Sequence, residues 1–480
     1  MAAQADLVIK NGMVATEMAV FPASIAVTNG KIVAIGTASD MPDGREDIDA
    51  TGLFVLPGVI DVHVHFREPG MDHKEDWETG TRAAAMGGVT TVFEMPNTAP
   101  PVSNVERYRQ KRDIASSKAL VDFGLYGVLS EDNLADLAPM AEAGVIGFKL
   151  FLGNTTGNLP CPSDGAVLEA FEIIAGLGKR ISIHAENSPI LFWREDRLKA
   201  AGRDAPMDHL LSRTDVVALE ALSRSCVFAE WTGARIHIVH ESCARSLPYI
   251  EFFKSRGVDL TVETLPQYLT LGVEDMDRPG GEVMRMNPPI RARWQQGPLR
   301  AALAHGVIDM IATDHAPHTV AEKSGNRIWD VACGFPGLES QLPLLLSLVN
   351  DGLMTLPRYV QISSANPARA FGLYGTKGVI QPGADADLVL VDMARREQLS
   401  AERLSSKGKT SPFEGMTVSA WPVATIVRGR PVMRDGAIVA DAGWGEEVSQ
   451  TMPPPAPRNE ETHLATLCGV SPAPSTNTTR

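Results

Sequence analysis

Short apolar runs that end in a polar or titratable side chain recur through the middle of the chain. Gly147 to Leu152, Ile181 to His184, Ile236 to His240 and Met310 to Thr313 are four of them, and segments with helical spacing lie between. Apolar runs bounded by turn residues and alternating with amphipathic stretches predict strands buried on both faces and joined by helices, which means a parallel sheet. From Gly58 to about Leu373 the alternation is long enough for eight strand–helix units, so the expected fold is α/β with a (β/α)₈ barrel.

Both ends of the chain carry a different pattern. Asp6 to Lys10, Ile25 to Val27, Ile32 to Ile35 and Leu53 to Leu56 read as short strands, with turns at Asn11-Gly12 and Asn29-Gly30. After the barrel pattern ends, Ala386 to Val391 and Val423 to Val427 read the same way, as does Ala437 to Val439 behind the turn Arg434-Asp435-Gly436. The two ends are expected to pair in one small β-sandwich domain, with the barrel inserted between its halves. The boundaries are then 1–56 and 379–445 for the sandwich and 57–378 for the barrel. Residues 446–480, with Met-Pro-Pro-Pro-Ala-Pro and Ser-Pro-Ala-Pro-Ser-Thr, form a Pro-rich tail expected to be mostly disordered.

Composition narrows the function. Of 480 residues, 44% are hydrophobic and 21% charged, an ordinary globular balance, and the net charge is −14. Such an acidic surface repels nucleic-acid phosphates and anionic membranes. No apolar run reaches membrane-spanning length and the first residues lack a signal-peptide pattern, so a soluble cytoplasmic protein is expected. The five cysteines, at positions 161, 226, 243, 333 and 468, are scattered and without Cys-x-x-Cys spacing, which points to reduced thiols. The expected partners are a small-molecule substrate and further copies of the chain, with no nucleic acid and no membrane.

The candidate chemistry sits at the ends of the barrel strands, where barrel enzymes assemble their sites. Val59 to Phe66 places His63 and His65 two residues apart, hence on one face, which suits a shared metal. Lys149 lies among apolar neighbours that disfavour an ammonium. The neutral amine can react with carbon dioxide, and the resulting carbamate is a carboxylate on a long arm, able to bridge two cations. His184 and His240 end further apolar strands. His237 differs from His240 by an odd number and is assigned a structural place. Asp314 closes the set with a carboxylate that can touch a metal and move protons. A lone strand-end histidine is more often a packed residue than a ligand, but six residues of the right type at matching positions make a metal site. Arg67, beside the histidine pair, suits a planar carboxylate.

In order and context these residues resemble the amidohydrolase superfamily over about residues 5–445, within its cyclic amidase branch of dihydroorotases, allantoinases and hydantoinases. The strings His63-Val64-His65-Phe66-Arg67-Glu68-Pro69-Gly70, His73-Lys74-Glu75-Asp76, Glu94-Met95-Pro96-Asn97-Thr98 and Asp314-His315-Ala316-Pro317-His318 are most similar to dihydroorotases. The resemblance implies two Zn²⁺ per chain bridged by carboxylated Lys149. His63, His65 and Asp314 would hold one ion, and His184 and His240 the other. It also implies that Arg67 and Asn97 grip a substrate carboxylate, with help from His318. Two features resemble hydantoinases and allantoinases instead: Thr264-Leu265-Pro266-Gln267-Tyr268-Leu269 and the long connection from Glu322 to Gly334 with Trp329.

The implied activity is a hydrolase acting on carbon–nitrogen bonds of cyclic amides, with a dihydroorotase as the nearest match. Its reaction interconverts N-carbamoyl-L-aspartate and (S)-dihydroorotate in pyrimidine biosynthesis, through a hydroxide bridging two zinc ions, with Asp314 as the proton carrier. The alternatives are a hydantoinase or allantoinase, or a catalytically dead oligomeric scaffold, which characteristically lacks the metal ligands kept here.

Overall fold

The computed structural model describes residues 4–157 and 159–450. Five strands open the chain: β1 (Ala5–Ala15), β2 (Val20–Thr28), β3 (Lys31–Gly36), β4 (Gly44–Asp49) and β5 (Phe54–Pro57). Eight follow between helices: β6 (Val59–Val64), β7 (Val89–Glu94), β8 (Asp122–Leu129), β9 (Gly147–Phe151), β10 (Arg180–His184), β11 (Arg235–Ile238), β12 (Leu260–Thr264) and β13 (Met310–Ile311). Four close it: β14 (Leu388–Gln398), β15 (Thr417–Val427), β16 (Arg430–Arg434) and β17 (Ala437–Ile438).

The middle eight lie in sequence order and every neighbouring pair is parallel. A bridge between Val64 and His315, with the His65 N–H donating to the His315 carbonyl at 2.8 Å, brings the last strand back to the first. The result is a nearly closed (β/α)₈ barrel. Every residue of β8, β9 and β10 is buried, because side chains on one face fill the barrel and those on the other meet helices.

The two chain ends share a separate mixed sheet in the order β17-β16-β15-β14-β5-β1-β2-β3, with β4 beside β1. Its seam is the antiparallel pair β5–β14. Asn29-Gly30 is a hairpin turn, with both residues at positive φ (51° and 75°). Asn11-Gly12 is not a turn. β1 runs through it as a bulge, with the register shifting between Ile9 and Gly12 and Asn11 at φ 63°. β4, Gly-Arg-Glu-Asp-Ile-Asp, shows no apolar alternation, so the hydrophobic pattern does not reveal it.

Two functional strands are shorter than their apolar runs suggest. β11 stops at Ile238 and β13 at Ile311, and His240 and Asp314 follow in left-handed backbone (φ 43° and 49°). Strand parity therefore does not reach His240. Residues 446–450 dock on the barrel: Glu446 N–H donates to Asp122 at 2.9 Å, and Gln450 donates to the Ile146 carbonyl at 2.7 Å. The rest of the Pro-rich tail, 451–480 with Cys468, lies outside the described residues. Among the described residues no helix is long and apolar enough to cross a membrane.

Candidate active site

The C-terminal ends of the strands surround a cavity walled by His63, His65, Lys149, His184, His240 and Asp314, together with Arg67 and Asn97. All six proposed ligands are therefore brought together. One ligand atom each from His63, His65 and Asp314 lies within 4.8 Å of the others. Nε2 of His63 and of His65 are 3.3 and 3.2 Å from Asp314 Oδ1. Across the cavity, His184 Nδ1 and His240 Nε2 stand 2.9 Å apart.

Three of the four imidazoles are turned by a bond on the other nitrogen, while Nδ1 of His240 is buried without a partner. His63 Nδ1 donates to Glu263 Oε1 at 2.6 Å, and His65 Nδ1 to Asn97 Oδ1 at 2.9 Å. His184 Nε2 donates to Glu186 Oε2 at 2.8 Å, and Glu186 is itself paired with buried Arg213. In these three rings the remaining nitrogen presents a lone pair to the cavity. Burial, followed by nearby positive charge, holds the four histidines below the usual imidazole range, so they are neutral donors. Gly153 makes room for one of them, since a Cβ there would stand 2.8 Å from the His184 ring.

Lys149 Nζ is buried with no hydrogen-bond partner and lies 5.1 Å from the centre of the Phe151 ring. Burial pulls its pKa down to about 7, against the pull of Glu263 and Asp314. Burial likewise lifts Asp314 to about 6, opposed by Lys149, His184 and Arg67. This donor set fits divalent metal. A nitrogen and an oxygen on one tetrahedral zinc, each at about 2.0–2.2 Å, are about 3.3–3.5 Å apart, and Asp314 Oδ1 stands 3.3 and 3.2 Å from the two histidine nitrogens.

Arg67 is 2% exposed, at φ 64°, with Nε unpartnered. Burial lowers its pKa to about 10, with Asp314 and Glu94 opposing. No carboxylate among the described residues forms an ion pair with it. Asn97, assigned to the same substrate group from sequence, has its amide engaged: Oδ1 accepts from His65, and Nδ2 donates to Thr155 Oγ1 at 3.2 Å and to the Thr156 carbonyl at 3.0 Å. His318 lies behind Arg67 and is not on the cavity wall.

Sequence reasoning missed several contributors. Glu263 is wholly buried and joins two ligand segments by three bonds, to His63 on one and to His237 Nε2 at 2.9 Å and the His240 backbone N–H at 3.0 Å on the other. Its signal, a charge within the apolar run Leu-Thr-Val-Glu-Thr, is the one that marked Lys149. Asn287 lines the cavity with a buried, unpartnered Oδ1, and nothing in Asn-Pro-Pro announces it. Conversely, Gln267 donates to the Thr313 carbonyl at 3.1 Å and Tyr268 to the Pro288 carbonyl at 2.7 Å, behind the cavity and off its wall.

Residues 54–432 match the model of the amidohydrolase family. The chain is 37% identical to an allantoinase of Rubrobacter xylanophilus over 439 residues, 91% of this chain and 96% of that one. It is 35% identical to a dihydroorotase of Methanosarcina acetivorans over 450 residues, 92% and 95% of the two chains. Among solved structures it resembles the L-hydantoinase (dihydropyrimidinase) of Arthrobacter aurescens, with a TM-score of 0.91, 34% identity, and coverage of 93% of this chain and 100% of that one.

Proposed function

From the premise that the chain belongs to the amidohydrolase family, and is a metal-dependent hydrolase of cyclic amides, we propose that it is a dihydroorotase. One observation carries the choice among cyclic amides: Arg67 brings a buried guanidinium with no carboxylate partner to the wall of the metal-site cavity. A buried cation needs a counter-charge. Dihydroorotate carries a carboxylate where hydantoin, allantoin and dihydrouracil have none. The identities to the named relatives are nearly equal and do not separate these substrates.

In this reading His63, His65 and Asp314 would hold one Zn²⁺ and His184 and His240 the other, and Lys149, once its neutral nitrogen has bonded to carbon dioxide and released a proton, would supply a carboxylate to both. When bound, the ions supply Lewis acidity and an acidified water. Asp314 takes the proton of the attacking water and returns it to the departing ring nitrogen. Arg67 binds the substrate carboxylate and so orients the ring amide over Asp314. Asn97 acts through His65 and through Thr155 and Thr156, which it holds at the cavity wall.

The hydantoinase or allantoinase reading draws on the Glu322–Gly334 connection. Trp329 Nε1 clasps it to the Arg203 carbonyl at 2.8 Å. That clasp is exposed, is not part of the cavity wall and does not pair Arg67. We further read the exposed Phe192, Trp193, Val216 and Phe252, on neighbouring outer helices, as a surface on which copies of the chain associate.

Replacing Arg67 tests the assignment. Truncating one side of a charge-assisted contact removes about 2–5 kcal/mol, so Arg67→Met lowers kcat/KM for dihydroorotate about 30-fold to several thousand-fold. Neutral cyclic amides lose far less. An equal loss on both substrate classes contradicts the carboxylate clamp.

A further inference from the structure

The geometry assigns Lys74 a positioning role. We propose that its ammonium holds His318 in the one tautomer that leaves Arg67 without a protein acceptor, so that an anionic substrate becomes the acceptor.

Lys74 sits on the connection between β6 and the helix Trp77–Met86, with its side chain 13% exposed. Its Nζ stands 3.1 Å from His318 Nδ1 and 2.8 Å from Glu322 Oε1. An ammonium only donates, so Nδ1 of His318 must offer its lone pair, and a neutral ring then carries its proton on Nε2. The far side of the ring agrees: Nε2 is 3.0 Å from the Cys333 carbonyl oxygen, which can only accept. Burial, with Arg67, Lys74 and Lys323 nearby, disfavours the doubly protonated ring.

Arg67 Nη2 lies 3.4 Å from the same Nε2. With the proton there, two donors face each other and no hydrogen bond forms between them. Arg67 Nε is also unpartnered. The guanidinium beside the metal-site cavity is thus kept short of acceptors by the protein itself.

Without Lys74 the Cys333 carbonyl at 3.0 Å still favours a proton on Nε2, but it is then opposed by two charged groups, Glu322 Oε2 at 3.8 Å from Nδ1 and the Arg67 guanidinium at 3.4 Å from Nε2, which together favour the proton on Nδ1 and the Nε2 lone pair turned to Arg67. A substrate anion would then have to displace a bond that the guanidinium already has. Binding of the anion weakens while the metal site and Asp314 are untouched. The effect falls on KM for charged substrates, not on kcat and not on neutral ones.

This inference rests on the reading of Arg67 as the anion clamp, and the test separates the two. In zinc-loaded, full-length protein labelled with ¹⁵N-histidine, long-range ¹H–¹⁵N spectra report the His318 tautomer with no substrate present. The His318 signal is identified by its loss in His318→Asn. Wild type is expected to carry the proton on Nε2, and Lys74→Met to move it to Nδ1. Lys74→Met should also raise KM for dihydroorotate about ten-fold with kcat within about two-fold, leave KM for dihydrouracil unchanged, and be restored by Lys74→Arg. A wild-type ring protonated on Nδ1 overturns the proposal, and this measurement needs no variant at Lys74 to fold. So does an equal rise in KM for both substrates. If dihydroorotate is not turned over at all, the clamp reading fails while the spectra still decide the tautomer.

Discussion

An ordinary lysine, with a pKa near 10.4, is almost wholly protonated at neutral pH and reacts with carbon dioxide only through a trace of free amine. Lys149 is different, because burial brings it to about 7. Below that value the amine is charged and unreactive, and above it the neutral form dominates. In metal-stripped protein given zinc and a fixed concentration of dissolved carbon dioxide, activity should return faster as pH rises through 7 and level off about one unit higher. A rate that still climbs about ten-fold per unit towards pH 10 would mean an unperturbed lysine. The residues were readable in sequence to the extent that their chemistry clashed with their neighbours. Lys149 among Gly-Phe and Leu-Phe-Leu is such a clash. Asn97 and Asn287 are not, since an amide is at home in any loop, and only the fold shows that one is already engaged and the other is not.

At the scale of elements, the site is made where strands stop. Arg67, His240 and Asp314 all follow barrel strands in left-handed backbone, which bends each side chain off the strand direction and into the cavity. Apolar runs told which strands exist, because burial on both faces leaves a plain hydrophobic signature. They did not tell where pairing ends, since Val239, Ala312 and Thr313 look like strand residues and yet lie beyond β11 and β13. The same weakness made a turn of Asn11-Gly12, a dipeptide that serves bulges as well as hairpins. Gly153 shows how closely these ends are packed. Gly153→Ala puts a methyl group 2.8 Å from the His184 ring and should displace it. If the proposed pair of zinc ions is right, zinc content should drop from two per chain towards one, and activity about a hundred-fold, with little change in Tm. Full zinc content and activity in this variant would show that the ring has slack.

At the scale of the whole molecule, barrel and terminal sheet are joined by a buried cluster in which Lys377 reaches Asp122 and Asp387 at 2.6 Å and Asp385 at 3.1 Å. Lys377 is the cation shared by all three carboxylates, whereas Arg428 reaches only Asp122 and Lys31 only Asp385, so Lys377→Met leaves Asp387 without a side-chain cation and should destabilise the fold by about 3–5 kcal/mol in denaturant titration while KM stays unchanged. Pairing of the two chain ends could be read from the return of short strands and turn signals after the barrel. The Lys377 cluster could not, because its members are separated by up to 265 residues and none is unusual locally. The central claim concerns what the assembled cavity selects. Its most direct test is kcat/KM of zinc-loaded protein for dihydroorotate beside hydantoin, allantoin and dihydrouracil. The account predicts that dihydroorotate leads by about a hundred-fold or more, the scale of one buried charged contact. Ready turnover of hydantoin or allantoin with little or none of dihydroorotate would contradict it.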